Sequence, residues 1–376
     1  MIHSRLGAEG NRAYLSGVPD TTKTRVIVGM SGGVDSSAAA ALLLEQGYDV
    51  VGITLKLWPQ DCVSRAEDKC CGPQAVTDAR SVCHKLGIPY YLVDEADAFQ
   101  KQVIHYFAEE YKAGRTPNPC VLCNEKLKFG ALLDRARQLG GDYVATGHFA
   151  RLEKRPDGRM LLKKGCDPHK DQSYFLFSLR QNQLARALFP LGEKTKQDTR
   201  QAARERHLKT ADKEESMEIC FVPDKDYGQF LSAAGLAQKH RGEIVGLQGQ
   251  VLGHHEGIEF YTIGQRKGLG LSTPKPLYVI ELDAARNRVI VGDYSALDRA
   301  EFTVRNCNWI PFDQPPEEME VAAKIRYHHP GTPATVQPLA GGGAKVRLHT
   351  PQRAITPGQA CVFYDGDLVV GGGWIT

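Results

Sequence analysis

Short apolar runs typical of β-strands alternate with helix patterns near the start of the chain. The strand runs are RVIVGM (25–30), DVVGITLKL (49–57), IPYYLV (88–93) and DYVATG (142–147). The helical segments between them, several ending in glycine, are 36–47, 73–87, 97–114 and 124–141. This alternation predicts an α/β fold built on a doubly wound parallel sheet, in which ligands bind beyond the carboxyl ends of the strands.

The loop after the first strand, Gly29–Ser36, carries the strongest ligand-binding signal. Its adjacent glycines let the backbone approach a ligand, and the N–H groups at the helix start can hold phosphate oxygens together with two serine hydroxyls. Asp35 can cap the helix or position a metal ion. The loop lacks the Lys-Ser/Thr pair of kinase and GTPase loops. A serine-glycine turn that merely caps the helix is the alternative interpretation.

Ten cysteines occur in a chain whose first residues lack an apolar secretion signal. We therefore expect a reducing, cytoplasmic location, where paired cysteines favour redox chemistry, metal binding or sulfur transfer over disulfides. Cys120 and Cys123 form a CxxC pair, and a helix capped by Asn124 would lower the pKa of the Cys123 thiol. A zinc-type or packing pair is the alternative. Cys220, taken alone, is typical of a buried strand cysteine.

The sequence pattern changes after residue 225, where glycine-rich strands and then evenly spaced short strands follow. We predict a disordered extension (1–23), a nucleotide-binding catalytic domain (24–225), a small central domain (226–292) and a C-terminal β-barrel (293–376). No apolar run approaches the length of a membrane span, so no membrane association is expected. A net charge of +3 does not by itself indicate nucleic-acid binding, and any basic surface must form on folding.

Eight motifs occur in one order from Arg25 to the C-terminus: GMSGGVDSS (29–37), GRTPNPCVLCNEKLKF (114–129), ATGHFAR (145–151), KDQSYFL (170–176), EICFVP (218–223), YTIGQRKGLG (261–270), KIRY (324–327) and TPGQACVFY (356–364). Together they resemble the bacterial-type tRNA 2-thiouridylases, PP-loop ATP pyrophosphatases that thiolate the wobble uridine. The resemblance implies a PP-loop (HUP-like) α/β domain, a small central domain and a C-terminal barrel similar to one in elongation factors.

The resemblance also implies site residues. Its ATP-contacting positions are Gly29, Met30, Ser31, Gly32, Gly33, Val34, Asp35, Ser36, Leu55 and Gly147. Cys123 is the implied nucleophile and Cys220 the implied bearer of a persulfide. The resemblance implies a target-base loop of Asn118, Pro119 and Cys120. The other implied contacts with tRNA, some of them in the barrel, are His148, Lys170, Asp171, Gln172, Arg326, Tyr327 and Gln359.

The implied reaction uses ATP and Mg²⁺ to adenylate O2 of uridine, and a sulfur-donor protein or sulfide source supplies the sulfur. Many family members carry aspartate where this chain has Cys120, so the acid/base role of that aspartate is unfilled here. Cys120, Cys123 and Cys220 together would also suit a [4Fe–4S] cluster with one open iron, which is an alternative to the persulfide.

Two other functions remain open at this point. One is a different adenylating enzyme of the same superfamily, such as an amide-forming ligase or tRNA-lysidine synthetase, which needs no paired cysteines. The other is an RNA-binding protein without enzymatic activity, which would form no AMP from ATP. Four further cysteines have no predicted role: Cys62, Cys70, Cys71 and Cys83.

Overall fold

The computed structural model describes residues 23–57, 72–215, 219–222, 226–237 and 239–376. The predicted extension 1–23, apart from its last residue, and the cysteines Cys62, Cys70 and Cys71 lie outside these ranges. Within them, no helix combines the length and the apolar character needed to cross a membrane.

A parallel sheet forms the N-terminal part of the described chain. The strands of this part are β1 (Arg25–Gly29), β2 (Asp49–Lys56), β3 (Tyr90–Asp94), β4 (Tyr143–Ala145), β5 (Ala150–Lys154), β6 (Met160–Lys164) and β7 (Ala187–Leu188). The sheet order is β3-β2-β1-β4-β7, and each neighbouring pair is parallel. The direction of strand succession reverses between β1 and β4, so the loops after these two strands border the crevice where such sheets bind ligands.

Helices cover both faces of this sheet. They are α1 (Val34–Glu45), α2 (Pro73–Leu86), α3 (Ala96–Phe99), α4 (His105–Lys112), α5 (Pro119–Leu122), α6 (Leu132–Gln138), α7 (Gln181–Leu184) and α8 (Lys196–Glu205). The π-helical segments Gln100–Ile104 and Cys123–Ala131 join α3 to α4 and α5 to α6, and a 3₁₀ helix spans Ser173–Leu176. The predicted doubly wound α/β fold is confirmed.

Strand β1 shows how the sheet is packed. Val26 and Val28 belong to the hydrophobic cluster on one face, and Ile27 belongs to the larger cluster on the other. Successive side chains of a strand point to opposite faces, so a strand with helices on both sides must be apolar throughout. All three residues are fully buried, which fixes the end of β1 and the loop that follows it.

The remaining chain forms the central domain and the barrel. The central part contains α9 (Tyr227–Ala233) and the strands β8 (Gly242–Gly246), β9 (Val251–His255), β10 (Tyr278–Asp283) and β11 (Arg288–Gly292). Two 3₁₀ helices span Ile258–Phe260 and Tyr294–Leu297. The barrel strands are β12 (Asp298–Trp309), β13 (Met319–Lys324), β14 (Thr332–Leu339), β15 (Gly343–Arg353), β16 (Ala360–Asp365) and β17 (Leu368–Ile375). Pairing of β12 with β17 closes the barrel.

The β5–β6 hairpin connects the N-terminal part to the barrel. Strand β6 pairs with β17 through Leu368 and Lys163, so the hairpin extends the barrel sheet. Arg151 on β5 also binds Asp367 at 2.8 Å. The sequence analysis did not predict this hairpin, and it means that the barrel is anchored directly on the nucleotide-binding part.

A buried carboxylate makes a second connection between these parts. Glu110 on α4 is 5% exposed, and its carboxylate accepts hydrogen bonds from Arg115 at 2.6 and 2.8 Å. Arg305 of β12 donates to the same carboxylate at 3.2 Å. Burial acts to raise the pKa of Glu110, but the bonds and charges of the two arginines outweigh it and lower the pKa. The group therefore stays ionised and holds the barrel against α4.

Replacing Glu110 by glutamine is expected to destabilise the fold by about 2 kcal/mol, because two arginines lose a buried counter-charge. The folded-state pKa lies below the unfolded one, so the stabilisation is complete above the ordinary carboxyl pKa and is lost as pH falls through the folded value. Urea unfolding at several pH values measures both effects. Glu109→Gln is the control, since Glu109 is exposed and forms an ion pair with Lys112 on the surface. This variant should cost less than about 1 kcal/mol.

Candidate active site

The loop after β1 is organised by its own hydroxyls and by β2. The N–H of Met30 donates to the Ile53 carbonyl at 2.7 Å, and the Thr54 hydroxyl donates to the Met30 carbonyl at 2.7 Å. Ser36 Oγ accepts from the Ser31 N–H at 3.2 Å and lies 3.2 Å from Ser31 Oγ. The loop is thus held in one conformation while its serine hydroxyls remain at the helix start, where a phosphate oxygen can reach them.

Two glycines of the site are required by close backbone contacts. Gly32 has φ +71°, and a Cβ there would lie 2.3 Å from the Ala75 carbonyl oxygen of α2. A Cβ on Gly147 would lie 2.6 Å from the carbonyl carbon of Asp35 and 2.7 Å from the Ser36 nitrogen. The loop after β4 therefore touches the first turn of α1. These contacts bring the implied ATP positions on both sides of the crevice together.

The implied ATP positions that carry apolar side chains bury them in the fold. Met30, Val34 and Leu55 are between 2% and 9% exposed. A nucleotide would therefore contact mainly their backbone atoms, or the small part of each side chain that is exposed. Asp35 is the carboxylate of the loop. Burial raises the pKa of Asp35. The charge and hydrogen bond of Lys196, whose Nζ lies 2.6 Å from Asp35 Oδ1, offset part of this rise.

The CxxC pair lies inside a helical segment whose start differs from the prediction. The helix begins at Pro119, with Asn118 in the N-cap position, and continues through Cys123. Asn124 is buried and donates to the Phe175 carbonyl at 3.1 Å, so its predicted capping role is wrong. Cys120 therefore occupies the first turn, where the helix dipole acts, and Cys123 begins the next. Proline at the first helical position explains the earlier start.

Cys220 lies in a turn and is half-buried, so the interpretation as a buried strand cysteine is wrong. Cys123 and Cys220 both pack against the large hydrophobic cluster that also contains Ile27. The neighbouring Phe221 contacts Phe99 and Phe107, with ring centroids 5.7 and 5.0 Å apart. These contacts attach the Cys220 segment to the helical segments that follow β3.

The thiols do not form a metal-binding group. Among the described residues, no three His, Cys, Asp or Glu side chains are close enough together to hold a metal ion. A cluster on Cys120, Cys123 and Cys220 needs three thiolates converging on one point. The arrangement does not fit the predicted iron–sulfur cluster. Cys83, for which no role was predicted, is buried beside β2. Burial raises the pKa of its thiol to about 12.

The barrel holds the segment that precedes the cysteine helix. The N–H of Thr116 donates to the Pro357 carbonyl at 2.8 Å. Gln359 Nε2 donates to the carbonyls of Thr116 and Pro117 at 3.0 and 3.3 Å. A Cβ on Gly358 would lie 2.9 Å from the Thr116 oxygen, which shows how closely the two backbones approach. Gln359, an implied tRNA contact, therefore holds the backbone just before Asn118, Pro119 and Cys120.

Several other implied tRNA contacts are engaged inside the protein. His148 Nδ1 lies 2.7 Å from Thr146 Oγ1, and its ring contacts Phe129 and Phe189. Burial, followed by the charge of Lys128, holds the pKa of His148 well below its ordinary value, so the ring is neutral. It can contact RNA by shape or hydrogen bonding but not as a cation.

The KDQ segment has a similar internal role. Asp171 Oδ1 accepts the backbone N–H groups of Gly165 and Ser173, each at 3.1 Å. Gln172 Oε1 accepts the Phe149 N–H at 3.0 Å. These bonds fix the loop between β6 and the 3₁₀ helix, so the structure gives both side chains a positioning role.

Three implied tRNA contacts are more accessible. Arg326 is exposed and donates a long hydrogen bond to the Arg353 carbonyl at 3.4 Å. Tyr327 packs its ring on Phe175 with centroids 4.5 Å apart. Lys170 forms an ion pair with Glu215 at 2.7 Å. Arg326 is consequently the residue of this set whose charge is best placed to meet a phosphate.

The comparisons with known proteins agree with this arrangement. Family models match residues 24–224 as a tRNA methyl transferase HUP domain, 229–293 as a tRNA methyl transferase PRC-barrel domain and 299–375 as an aminomethyltransferase β-barrel domain. A tRNA-specific 2-thiouridylase from Geobacter metallireducens is 50% identical over 360 residues, 95% of this chain and 98% of that protein. The chain belongs to the tRNA-specific 2-thiouridylase family. The resemblance found in the sequence is thereby confirmed.

Other relatives with the same name match equally well. The 2-thiouridylase of Magnetococcus marinus is 51% identical, covering 94% of this chain and 99% of its own. That of Moorella thermoacetica is 52% identical, covering 93% and 98%. Among solved structures, an NMN synthetase from Francisella tularensis matches at a TM-score of 0.31 and 17% identity, covering 52% of this chain and 66% of that one. So weak a match bears on neither fold nor function.

Proposed function

We propose that this chain, a tRNA sulfurtransferase by its family, replaces O2 of the wobble uridine in tRNA with sulfur, using ATP to activate the oxygen. The observation that supports this most directly is that Cys123 and Cys220 lie in the same domain as the loop after β1, which is suited to binding phosphate. Both cysteines also pack against the large hydrophobic cluster of that domain and the barrel. An amide-forming ligase would have no use for this pair of thiols.

The first step is adenylation of the base. Uridine O2 attacks the α-phosphorus of ATP, N3–H is lost as a proton, and pyrophosphate leaves with the electron pair of the broken P–O bond. Backbone N–H groups of the β1–α1 loop and the hydroxyls of Ser31 and Ser36 stabilise the phosphate oxygens. Mg²⁺ would neutralise part of the charge of the phosphates, and the Asp35 carboxylate, an oxygen ligand of the kind that magnesium prefers, would help to hold it.

The second step transfers sulfur. The terminal sulfur of a persulfide on Cys220 attacks C2 and displaces AMP. The Cys123 thiolate then attacks the Cys220 sulfur, which forms a Cys123–Cys220 disulfide and releases 2-thiouridine. Two equivalents of an external thiol reduce the disulfide, and a donor that itself carries a persulfide passes its outer sulfur to the Cys220 thiolate. This sequence requires a reducing compartment, in agreement with the cytoplasmic location proposed from the sequence, and it assigns no covalent step to Cys120.

The base must leave the anticodon stack to reach the thiols, which a single-stranded loop permits at small cost. Asn118, Pro119 and Cys120, at the start of the helix that carries Cys123, form the segment proposed to receive it. Gln359 holds the residues just before this segment through the carbonyls of Thr116 and Pro117. A barrel that contacts tRNA would therefore also fix the segment that presents Cys123.

The test is formation of AMP and pyrophosphate from ATP with and without unmodified tRNA. Both products should appear only with tRNA and in a ratio of about one to one. A tRNA transcript with cytidine at the wobble position is the matched control and should support neither product. AMP formation that ignores tRNA, or that continues with the cytidine transcript, would contradict the proposal.

Arg326→Ala is expected to weaken tRNA binding without changing ATP affinity. Its guanidinium is exposed on the barrel, and loss of one phosphate contact should reduce the slope of log K against log salt by about one or less. Filter binding over a range of salt concentrations measures both quantities. Arg299→Ala, which removes an exposed barrel arginine from strand β12, is the control. An Arg326 variant with wild-type affinity and slope would remove this residue from the interface.

A further inference from the structure

Two lysines outside all the implied site motifs reach the β1–α1 loop. Lys196, the first residue of α8, places Nζ 2.6 Å from Asp35 Oδ1 and 5.6 Å from the centre of the Phe149 ring. Lys213, in the segment that follows α8 and leads toward Cys220, donates to the Gly32 carbonyl at 3.1 Å. The loop has no lysine of its own, and these two side chains bring ammonium groups into contact with it.

Carboxylates hold both lysines in place without cancelling the local positive charge. Asp78, whose side chain is 9% exposed, binds Lys213 at 2.6 Å and Lys209 at 2.7 Å. Glu215 binds Lys196 at 3.1 Å and also faces two further cations, Lys170 at 2.7 Å and Arg200 at 3.6 Å. Each of these carboxylates is paired with more than one cation, so positive charge is in excess. An excess of positive charge beside a phosphate-binding loop favours binding of a polyanion.

We infer that Lys196 and Lys213 form the subsite for the β- and γ-phosphates of ATP and stabilise the departing pyrophosphate. The inference rests on the proposed function and deepens it. When the bond between the α-phosphorus and the bridging oxygen breaks, its electron pair stays on pyrophosphate. Two ammonium groups close to the loop oppose that added negative charge. They take the place of the lysine that kinase and GTPase loops carry within their own motif.

The ion pairs around the loop are consistent with this role. Lys196 is 12% and Lys213 31% exposed at the side chain, so both are held near the loop yet accessible from it. Lys196 bonds the loop through Asp35 and Lys213 through the Gly32 carbonyl, and a carboxylate from outside the loop anchors each of them. An arriving phosphate oxygen can replace the loop contact while the anchoring carboxylate keeps the lysine in position.

The test compares variants of the full chain with inorganic pyrophosphate, ATP and AMP as separate ligands. Lys196→Met and Lys213→Met should each weaken the binding of pyrophosphate and of ATP, measured by isothermal titration, by at least about tenfold, since a charge-assisted contact is lost. AMP, which lacks the outer phosphates, should bind as tightly as to wild type. The matched control for Lys213 is Lys209→Met, which removes the other lysine from Asp78 and leaves the bond from Lys213 to the Gly32 carbonyl in place. Lys194→Met, two residues before Lys196 and exposed, is the control for Lys196.

The outcomes separate the subsite from the proposed function. Wild-type affinity for pyrophosphate in both variants, or an equal loss of AMP affinity, would overturn the subsite. Absence of tRNA-dependent AMP formation in wild type would overturn the proposed function and leave the pyrophosphate measurement to decide the subsite. Thermal melting checks folding. If Lys196→Met fails to fold, Lys213→Met decides, because Asp78 keeps Lys209 and Gln74 as partners in that variant.

Discussion

Serine in place of Cys220 is expected to lower the rate of uridine thiolation by about a thousandfold or more, while tRNA-dependent pyrophosphate release continues. A serine hydroxyl cannot carry a persulfide, so the adenylated base forms but receives no sulfur. Thiolation is measured by mass spectrometry of nucleosides, and pyrophosphate by a coupled assay on the same samples. Cys123→Ser should also stop turnover, because it removes the thiol that releases the product.

The control for this pair is Cys166→Ser. Cys166 is exposed and its sulfur contacts Glu193 at 2.8 Å, away from the cluster against which Cys123 and Cys220 pack. This variant should thiolate tRNA at the wild-type rate. Near-normal thiolation by Cys220→Ser would rule out a persulfide on that residue. Loss of pyrophosphate release together with thiolation would show that Cys220 also supports adenylation.

Alanine at Gly32 is the second change for which a large effect is expected, namely loss of measurable ATP binding and a destabilisation of about 3 kcal/mol. The added Cβ would meet the backbone of Ala75 at 2.3–2.8 Å, and a φ of +71° is unfavourable for alanine. Backbone atoms cannot rotate away as a side chain can. The loop must therefore move from α2, which displaces the N–H groups proposed to bind phosphate. Isothermal titration with ATP and urea unfolding measure the two effects.

Gly87→Ala separates backbone strain from collision. Gly87 ends α2 with φ +68°, almost the value at Gly32, but a Cβ there has nothing within 4 Å. This variant should cost about 1 kcal/mol and leave ATP binding unchanged. Equal effects in the two variants would mean that the contact between the loop and α2 has no role in nucleotide binding.

The parts of the fold that could be predicted from the sequence are those encoded locally. RVIVGM followed by the glycine loop and an alanine-rich segment predicts strand, loop and helix, and β1 and α1 appear there. The barrel strands are also confirmed, because turn residues separate each from the next. In both cases the signal lies within a dozen neighbouring residues.

Features that depend on distant contacts were missed. The β5–β6 hairpin extends the barrel only because β6 meets β17, and a strand pattern does not reveal its partner. The helix containing Cys123 starts at Pro119 rather than after the CxxC pair, since proline is favoured in a first turn. Because the helix starts at Pro119, Cys120 and not Cys123 lies in its first turn.

The same limit applies to the candidate site. Gly147 could be placed in the crevice from its strand, but its contact with Asp35 and Ser36 is a three-dimensional fact. Lys196 and Lys213 are ordinary lysines in the sequence. Their meeting at the loop depends on the packing of α8 and the segment after it, which no local motif encodes.

The central claim is that one chain couples ATP cleavage to sulfur transfer on one base. The most direct measurement incubates the protein with ATP, Mg²⁺, a donor that carries persulfide sulfur, a thiol reductant and unmodified tRNA, and then quantifies 2-thiouridine, AMP and pyrophosphate from the same sample. The account predicts equal amounts of all three at early times, with the thiolated nucleoside at the wobble position. AMP and pyrophosphate without any 2-thiouridine, or 2-thiouridine formed without ATP, would contradict it.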